Sequence, residues 1–239
     1  MKRRRFIGKA VALSGTLLAA PAARTLFAVE ASKNGTLNES KRQLNPPANG
    51  RIPVAFVISE GVTVIDFAGP WEVFQDVMVV DEMPFELFTV SDKIETIIGT
   101  AGLKLIPNYT FANVPDCKVV VIPAQKGSET AREWLRKVSP KTDVTMSVCT
   151  GAFQLAKAGL LNGKSATTHH DFIDKLEKGF PDVKVVRGVR FVEGDRISTA
   201  GGLSSGIDLA LRVVERYFGR KVAENTATYM EYQGQGWRT

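Results

Sequence analysis

The chain has 239 residues, of which 44% are hydrophobic and 23% charged. That composition excludes a disordered or fibrous protein and leaves ample length for a core. Its formal charge of +6 would suggest a nucleic acid or an anionic membrane if it were spread over a folded surface. It is not spread. Residues 1–28 carry six of the 31 basic residues (Lys2, Arg3, Arg4, Arg5, Lys9, Arg24) and no acid, and residues 29–50 carry three basic and two acidic residues. Residues 51–239 therefore hold 22 basic against 23 acidic residues, a net charge of −1. This excludes nucleic acid as the expected partner and suits a small uncharged or weakly polar electrophile.

Met1 to Lys9 is basic, residues 10–23 are apolar or small apart from Ser14, Gly15 and Thr16, and small residues follow. This is the layout of a secretory signal. The uncharged run of 14 residues is too short to span a hydrocarbon core, which needs about 20 helical residues. Arg3-Arg4-Arg5-Phe6-Ile7-Gly8-Lys9 resembles the twin-arginine export motif, with its lysine one place late. The expected destination is the bacterial periplasm, with cleavage after Ala22, Ala28 or Ala31 and no stable membrane anchor afterwards. No cysteine lies in residues 1–28 to take a lipid. Residues 29–50 are rich in Asn and Ser, end in Pro-Pro and Asn-Gly, and read as a flexible linker. Residues 51–239 then form one domain.

Within the domain, Ile52–Ile58 reads as a buried strand. A helix follows to about Met78, with Pro70 marking where it begins or bends. Phe85–Ser91 is a strand, and Glu95–Ile98 with Leu103–Ile106 a smaller pair across Gly99–Gly102. Lys118–Ile122 is a buried strand, Glu129–Val138 a short helix stopped by Pro140, and Val144–Val148 the next strand. Thr150–Leu160 reads as a helix closed by Leu161-Asn162-Gly163. Ser165–His169 is a strand, followed by a helix to Lys178 and strands near Val183–Val186, Gly188–Val192 and Arg196–Thr199. Helices Ser204–Tyr217 and Lys221–Tyr232 finish the chain. Only seven residues follow Tyr232, so a DNA-binding helix-turn-helix is not expected there. Alternation of strand and helix predicts an α/β fold with a mostly parallel sheet covered on both faces, and a site at the carboxyl ends of its strands.

Cys149 stands directly after an apolar strand and directly before a predicted helix. Strand, sharp turn and helix make a nucleophile elbow, and free N–H groups at the helix start favour a thiolate, the attacking form. A buried apolar cysteine is the plain alternative. Asp66, past the first strand, falls at the same sheet edge as a proton shuttle, or serves as a helix cap. His169 stands at the carboxyl end of the strand after the Cys149 helix; on a strand it and His170 would point to opposite faces, so no metal site is expected. Gly201-Gly202 and Ser204-Ser205-Gly206 offer backbone N–H groups to an anion or simply make a tight turn, without the Lys-Ser/Thr of a phosphate loop. No nucleotide or other cofactor is expected.

Four separated motifs then stand in one order: Gly61-Val62-Thr63 with Asp66-Phe67-Ala68-Gly69-Pro70; Ser147 to Ala152; Ala158 to His169; and Ala200-Gly201-Gly202 with Gly206-Ile207-Asp208. Together they resemble the ThiJ/PfpI superfamily (class I glutamine amidotransferase-like), and within it the isonitrile hydratase branch and the amidase-like sensor domains fused to some regulators. The resemblance implies a flavodoxin-like three-layer α/β/α sandwich, usually a homodimer. It also implies Cys149 as nucleophile, Asp66 as its acid partner and Thr150 as the neighbour facing the substrate. Members with His after the cysteine are protease-like or glyoxalase-type; Thr150 here favours the hydratase branch. Where the branch has Pro-Gly-Gly to supply an anion-stabilising N–H, this chain has Pro123-Ala124-Gln125. A glyoxalase-type activity on dicarbonyls and a non-catalytic or redox-sensing binding domain are the alternatives. Finally, Cys117 precedes its strand and Cys149 follows its own, which places them at opposite edges of a parallel sheet, too far apart for a disulfide.

Overall fold

The computed structural model describes residues 42–238; the expected export signal lies outside the described residues. The strands are β1 (Ile52–Val57), β2 (Phe85–Ser91), β3 (Ile97–Ile98), β4 (Lys104–Leu105), β5 (Tyr109–Thr110), β6 (Val119–Ile122), β7 (Val144–Ser147), β8 (Ser165–Ala166), β9 (Lys184–Val185), β10 (Phe191–Val192) and β11 (Ile197–Ala200). The helices are α1 (Val64–Gln75), α2 (Glu129–Val138), α3 (Ala152–Lys157), α4 (Ile173–Gly179), α5 (Ser205–Phe218) and α6 (Arg220–Tyr229).

Seven strands form the main sheet in the order β10-β11-β7-β6-β1-β2-β5, and every pairing is parallel except β10 with β11. The period-2 alternation of side chains divides the buried strands between two cores. Val54, Phe56, Val119, Val121 and Met146 pack on one face with Phe74 of α1 and Leu209, Val213 and Tyr217 of α5. Ala55, Val57, Val120 and Ile122 pack on the other with Leu135 of α2, Leu155 of α3 and Leu176 of α4. The result is the expected three-layer, flavodoxin-like α/β/α sandwich.

Several local expectations are corrected. The linker was expected to end at 50, but Leu44 is 2% exposed and its N–H donates to the Arg216 carbonyl at 2.8 Å. The fold therefore includes a strap before residue 51, because an apolar side chain with a satisfied backbone packs even in a polar stretch. Helix α1 runs through the buried Pro70, which removes only the N–H that would have bonded the Asp66 carbonyl. The strand expected over Ser165–His169 stops at Ala166 and pairs with β9 outside the main sheet. The helix expected over Thr150–Leu160 is a 3-10 turn, Cys149–Gly151, and six residues of α3, ended by Gly159 at φ 75°. Strand β5 was not expected; two residues after Pro107-Asn108 carry too short a pattern to read.

The loops after β1, β6, β7 and β11 all leave the carboxyl edge of four neighbouring strands. On one side of β1 the chain proceeds to β2 and on the other to β6, so this edge is where the strand order reverses. Sites in open α/β sheets form at that point.

Candidate active site

Asp66 stands in the first turn of α1 and is fully buried. A capping acid would accept an N–H of its own helix. This carboxyl instead crosses to the loop after β6, where Oδ2 accepts the Ala124 N–H at 3.0 Å. The other oxygen, Oδ1, is buried with no partner at hydrogen-bonding geometry. The Cys149 thiol is its neighbour and interacts with the carboxyl without closing to a regular hydrogen bond.

Cys149 has φ 57°, the left-handed conformation of a strained elbow. Both ends of the residue are pinned: its N–H donates to the Gly201 carbonyl at 2.8 Å, and its carbonyl accepts the Thr168 hydroxyl at 2.8 Å. Gly151 makes the turn possible, since a Cβ there would lie 2.1 Å from the Ile122 carbonyl oxygen. The backbone N–H groups of Thr150 and Leu203 point at the sulfur. Leu203 also has positive φ, 53°, and its N–H serves the Asp66 carboxyl as well.

The expected resting thiolate is corrected. Burial first, and then the adjacent Asp66 carboxylate, push the Cys149 thiol up to about 11, against the pull of the two N–H donors. A six-residue α3 brings little dipole to offset that burial. Burial also raises the Asp66 carboxyl to about 6, opposed by its contacts with Ala124, Cys149 and Leu203. Near pH 7 the pair therefore holds one proton, on sulfur, beside a carboxylate whose affinity for it has been raised. Such a pair can release a nucleophile by internal proton transfer when an electrophile arrives.

The other expected residues fall into two groups. Ala124 joins the site, but its N–H is given to Asp66, so the anion donor anticipated at this loop is already engaged. Gln125 does not join it: its amide donates to the Val57 carbonyl at 2.8 Å. Gly202 and His169 lie together beside the elbow, and a Cβ on Gly202 would fall 2.3 Å from His169 Cδ2. The two histidines do not diverge as expected. Because the strand ends at Ala166, they enter a 3-10 turn, and their rings stack at 4.3 Å and 28°. Their ligand nitrogens and an Asp171 oxygen lie within 4.8 Å of one another on an exposed turn, where His169 Nδ1 accepts the Asp171 N–H. Thr168 and Leu203 were missed as site residues. Thr168 lay inside a motif already singled out, whereas Leu203 acts through backbone geometry that its residue type does not signal. Cys117 and Cys149 are both free.

Residues 53–216 match the DJ-1/PfpI family. The chain belongs to this family. Among DJ-1/PfpI relatives, the isonitrile hydratase of Pseudomonas putida is 30% identical over 190 residues, 76% of this chain and 78% of that enzyme. The HTH-type transcriptional regulator GbdR of Pseudomonas aeruginosa is 25% identical over 79% of this chain, which spans only 53% of that regulator. A THiJ/PfpI family protein from Pseudomonas syringae superposes with a TM-score of 0.69 at 25% identity, covering 88% of this chain and 85% of that one. The DJ-1/PfpI fold thus carries both enzymes and regulators among these relatives.

Proposed function

We propose that this DJ-1/PfpI protein is a cysteine-dependent hydratase of the isonitrile hydratase type, working in the bacterial periplasm. The observation that carries the reading is the buried Asp66–Cys149 pair, a protonated thiol beside a carboxyl raised to about 6. It stands in a chain that matches an isonitrile hydratase over most of both lengths. Asp66 takes the thiol proton as sulfur adds to the terminal carbon of the isonitrile, and returns it to that carbon, leaving a thioimidate on Cys149. Water then adds to the same carbon, the carbon–sulfur bond breaks, the nitrogen gains a proton and the thiol is restored. The product is an N-substituted formamide, and the net reaction consumes one water. The Thr150 and Leu203 N–H groups hold the sulfur while it carries charge.

Full-length protein incubated with phenyl isocyanide should yield formanilide, read by mass spectrometry, and Cys149→Ala should yield none. Turnover of methylglyoxal instead would move the reading to a glyoxalase-type enzyme. Turnover of neither would leave a binding domain, the reading favoured by the relatedness to a transcriptional regulator. The export reading rests on the arginine-rich start, and replacing Arg3 and Arg4 with lysine should retain the protein in the cytoplasm. We propose that a second copy packs on the exposed Ile65, Ile98 and Leu103. The β3–β4 hairpin that carries the last two is tied to the start of α1 by the Thr100 hydroxyl, which accepts the Val64 N–H. Sedimentation of Leu103→Asp should then report a monomer.

A further inference from the structure

Beside the elbow lies a cavity of about 330 Å³ that shares Gly201, Gly202 and Leu203 with the thiol site. This volume suits a small ligand, at the low end of the range for binding pockets. Its walls include His169, His170, Val189, Arg190 and Ser204, and among the described residues no carboxylate lines it. The arginine is built in rather than loose. Arg190 Nε donates to Asp208 Oδ2 at 2.6 Å, and Asp208 is 1% exposed and also accepts the Tyr232 hydroxyl at 3.0 Å. Nη2 donates to the Ser204 hydroxyl at 3.2 Å. The guanidinium is thereby fixed by one edge, and neither N–H of Nη1 has a described hydrogen-bond partner. Ser204, having accepted from Nη2, keeps its own hydroxyl proton to donate.

We propose that this cavity holds a carboxylate of the substrate, so that the natural substrate is a small molecule with an electrophilic carbon at one end and a carboxylate at the other. The remaining edge of Arg190 and the Ser204 hydroxyl are its donors. A planar fork held by a buried acid matches a planar carboxylate and loses little freedom on binding it. Leu203 and Val189, both exposed, provide apolar wall for the connecting part. This departs from the uncharged electrophile anticipated from the domain's net charge, because a total near zero says nothing about how one cavity is lined. The inference rests on reading Cys149 as the nucleophile, which places the reacting end at the elbow and the anionic end in the cavity.

The test uses full-length Cys149→Ala protein and two probes, 4-formamidobenzoate and formanilide, which differ by the carboxylate. Calorimetry should show the acid bound about tenfold more tightly than its neutral counterpart. Arg190→Gln in the same background should bring the two within about twofold. Should Arg190→Gln fail to fold because Asp208 is left buried without a cation, Arg190→Lys keeps that charge while removing the second edge, and the gap should narrow in the same way. Equal binding of the probes to the Cys149→Ala protein, or a gap that survives both substitutions, overturns the proposal. In the active protein, KM for 4-isocyanobenzoate should lie about tenfold below that for phenyl isocyanide. Carboxylate binding that depends on Arg190 without isonitrile turnover sinks the hydratase reading and leaves the cavity assignment standing. Turnover with no preference for the acid does the reverse.

Discussion

Cys117 and Cys149 flank adjacent parallel strands at opposite ends, Cys117 just before β6 and Cys149 just after β7, and burial treats them almost alike. It pushes the first up to about 12 and the second up to about 11, with a neighbouring aspartate as the next cause in each case, Asp116 and Asp66. Resting acidity therefore does not separate a structural thiol from a candidate nucleophile in this molecule. What separates them is what surrounds the sulfur. Cys149 has a left-handed backbone pinned at both ends, two backbone N–H groups aimed at the sulfur, and a buried carboxyl raised to about 6. Beside the Cys117 sulfur stand Asp116 and its own backbone N–H.

The largest expected difference follows directly. Cys149→Ser should lower isonitrile turnover by at least about 10³-fold, while Cys117→Ser should leave it within about twofold. Comparable losses in both variants would make Cys149 one buried thiol among two. The elbow's geometry gives the next effect, and it is one of stability. In Gly151→Ala the new methyl would meet backbone, not a side chain that can turn away. Unfolding free energy should fall by about 2–4 kcal/mol in denaturant titration. A loss near zero would mean that the turn has room the structure does not show.

Asp66→Asn separates chemistry from stability. The amide keeps an acceptor for the Ala124 N–H but cannot take the thiol proton, so turnover should drop about 10²-fold. The wild-type rate should rise with pH through about 6 as the carboxyl ionises, and that limb should vanish in the variant. Stability moves the other way. The folded carboxyl binds its proton more tightly than the unfolded one, so wild-type stability falls as pH rises from about 4 to about 6. Near pH 7.5 the variant, free of a buried charge, should melt roughly 3–6 °C higher than wild type. At pH 4, where the wild-type carboxyl is largely protonated, that advantage should shrink. A variant less stable at pH 7.5 would mean that the carboxylate holds the fold together instead of straining it.

Much of this was legible in residue order. Runs such as Val119–Ile122 and Phe85–Ser91 are apolar and β-branched enough to declare buried strands, and Cys149 with Asp66 announced themselves by standing after two of them. What stayed hidden depends on geometry that residue type does not encode. Leu203 contributes a backbone N–H through a positive φ that a leucine gives no reason to expect. Leu44 was lost in a polar stretch although a single side chain and one N–H suffice to dock it. Arg190 looked like one more charge in a balanced domain, and only its pairing with a buried Asp208, 18 positions away, turns it into a fixed feature of a cavity wall. The helix start after Cys149 speaks for a thiolate in the sequence, whereas the burial that keeps the proton on sulfur is not encoded in residue order.

The smallest effect is expected where the elbow meets the cavity. Gly202 is not in a left-handed conformation, so alanine costs nothing in backbone strain, but its Cβ would fall 2.3 Å from the His169 ring. The His169 ring is 18% exposed and stacks on His170, but the atom met is a side-chain atom that can turn aside, so the melting temperature should change by no more than about 2 °C. Rotation would carry the imidazole across the mouth of the cavity it now lines. KM should therefore rise about three- to fivefold with kcat nearly unchanged, the signature of lost binding shared by ground and transition states. A fall in kcat at constant KM would instead connect His169 to the thiol chemistry, and would join the two halves of the site that the contrast between Asp66–Cys149 and the cavity now keeps apart.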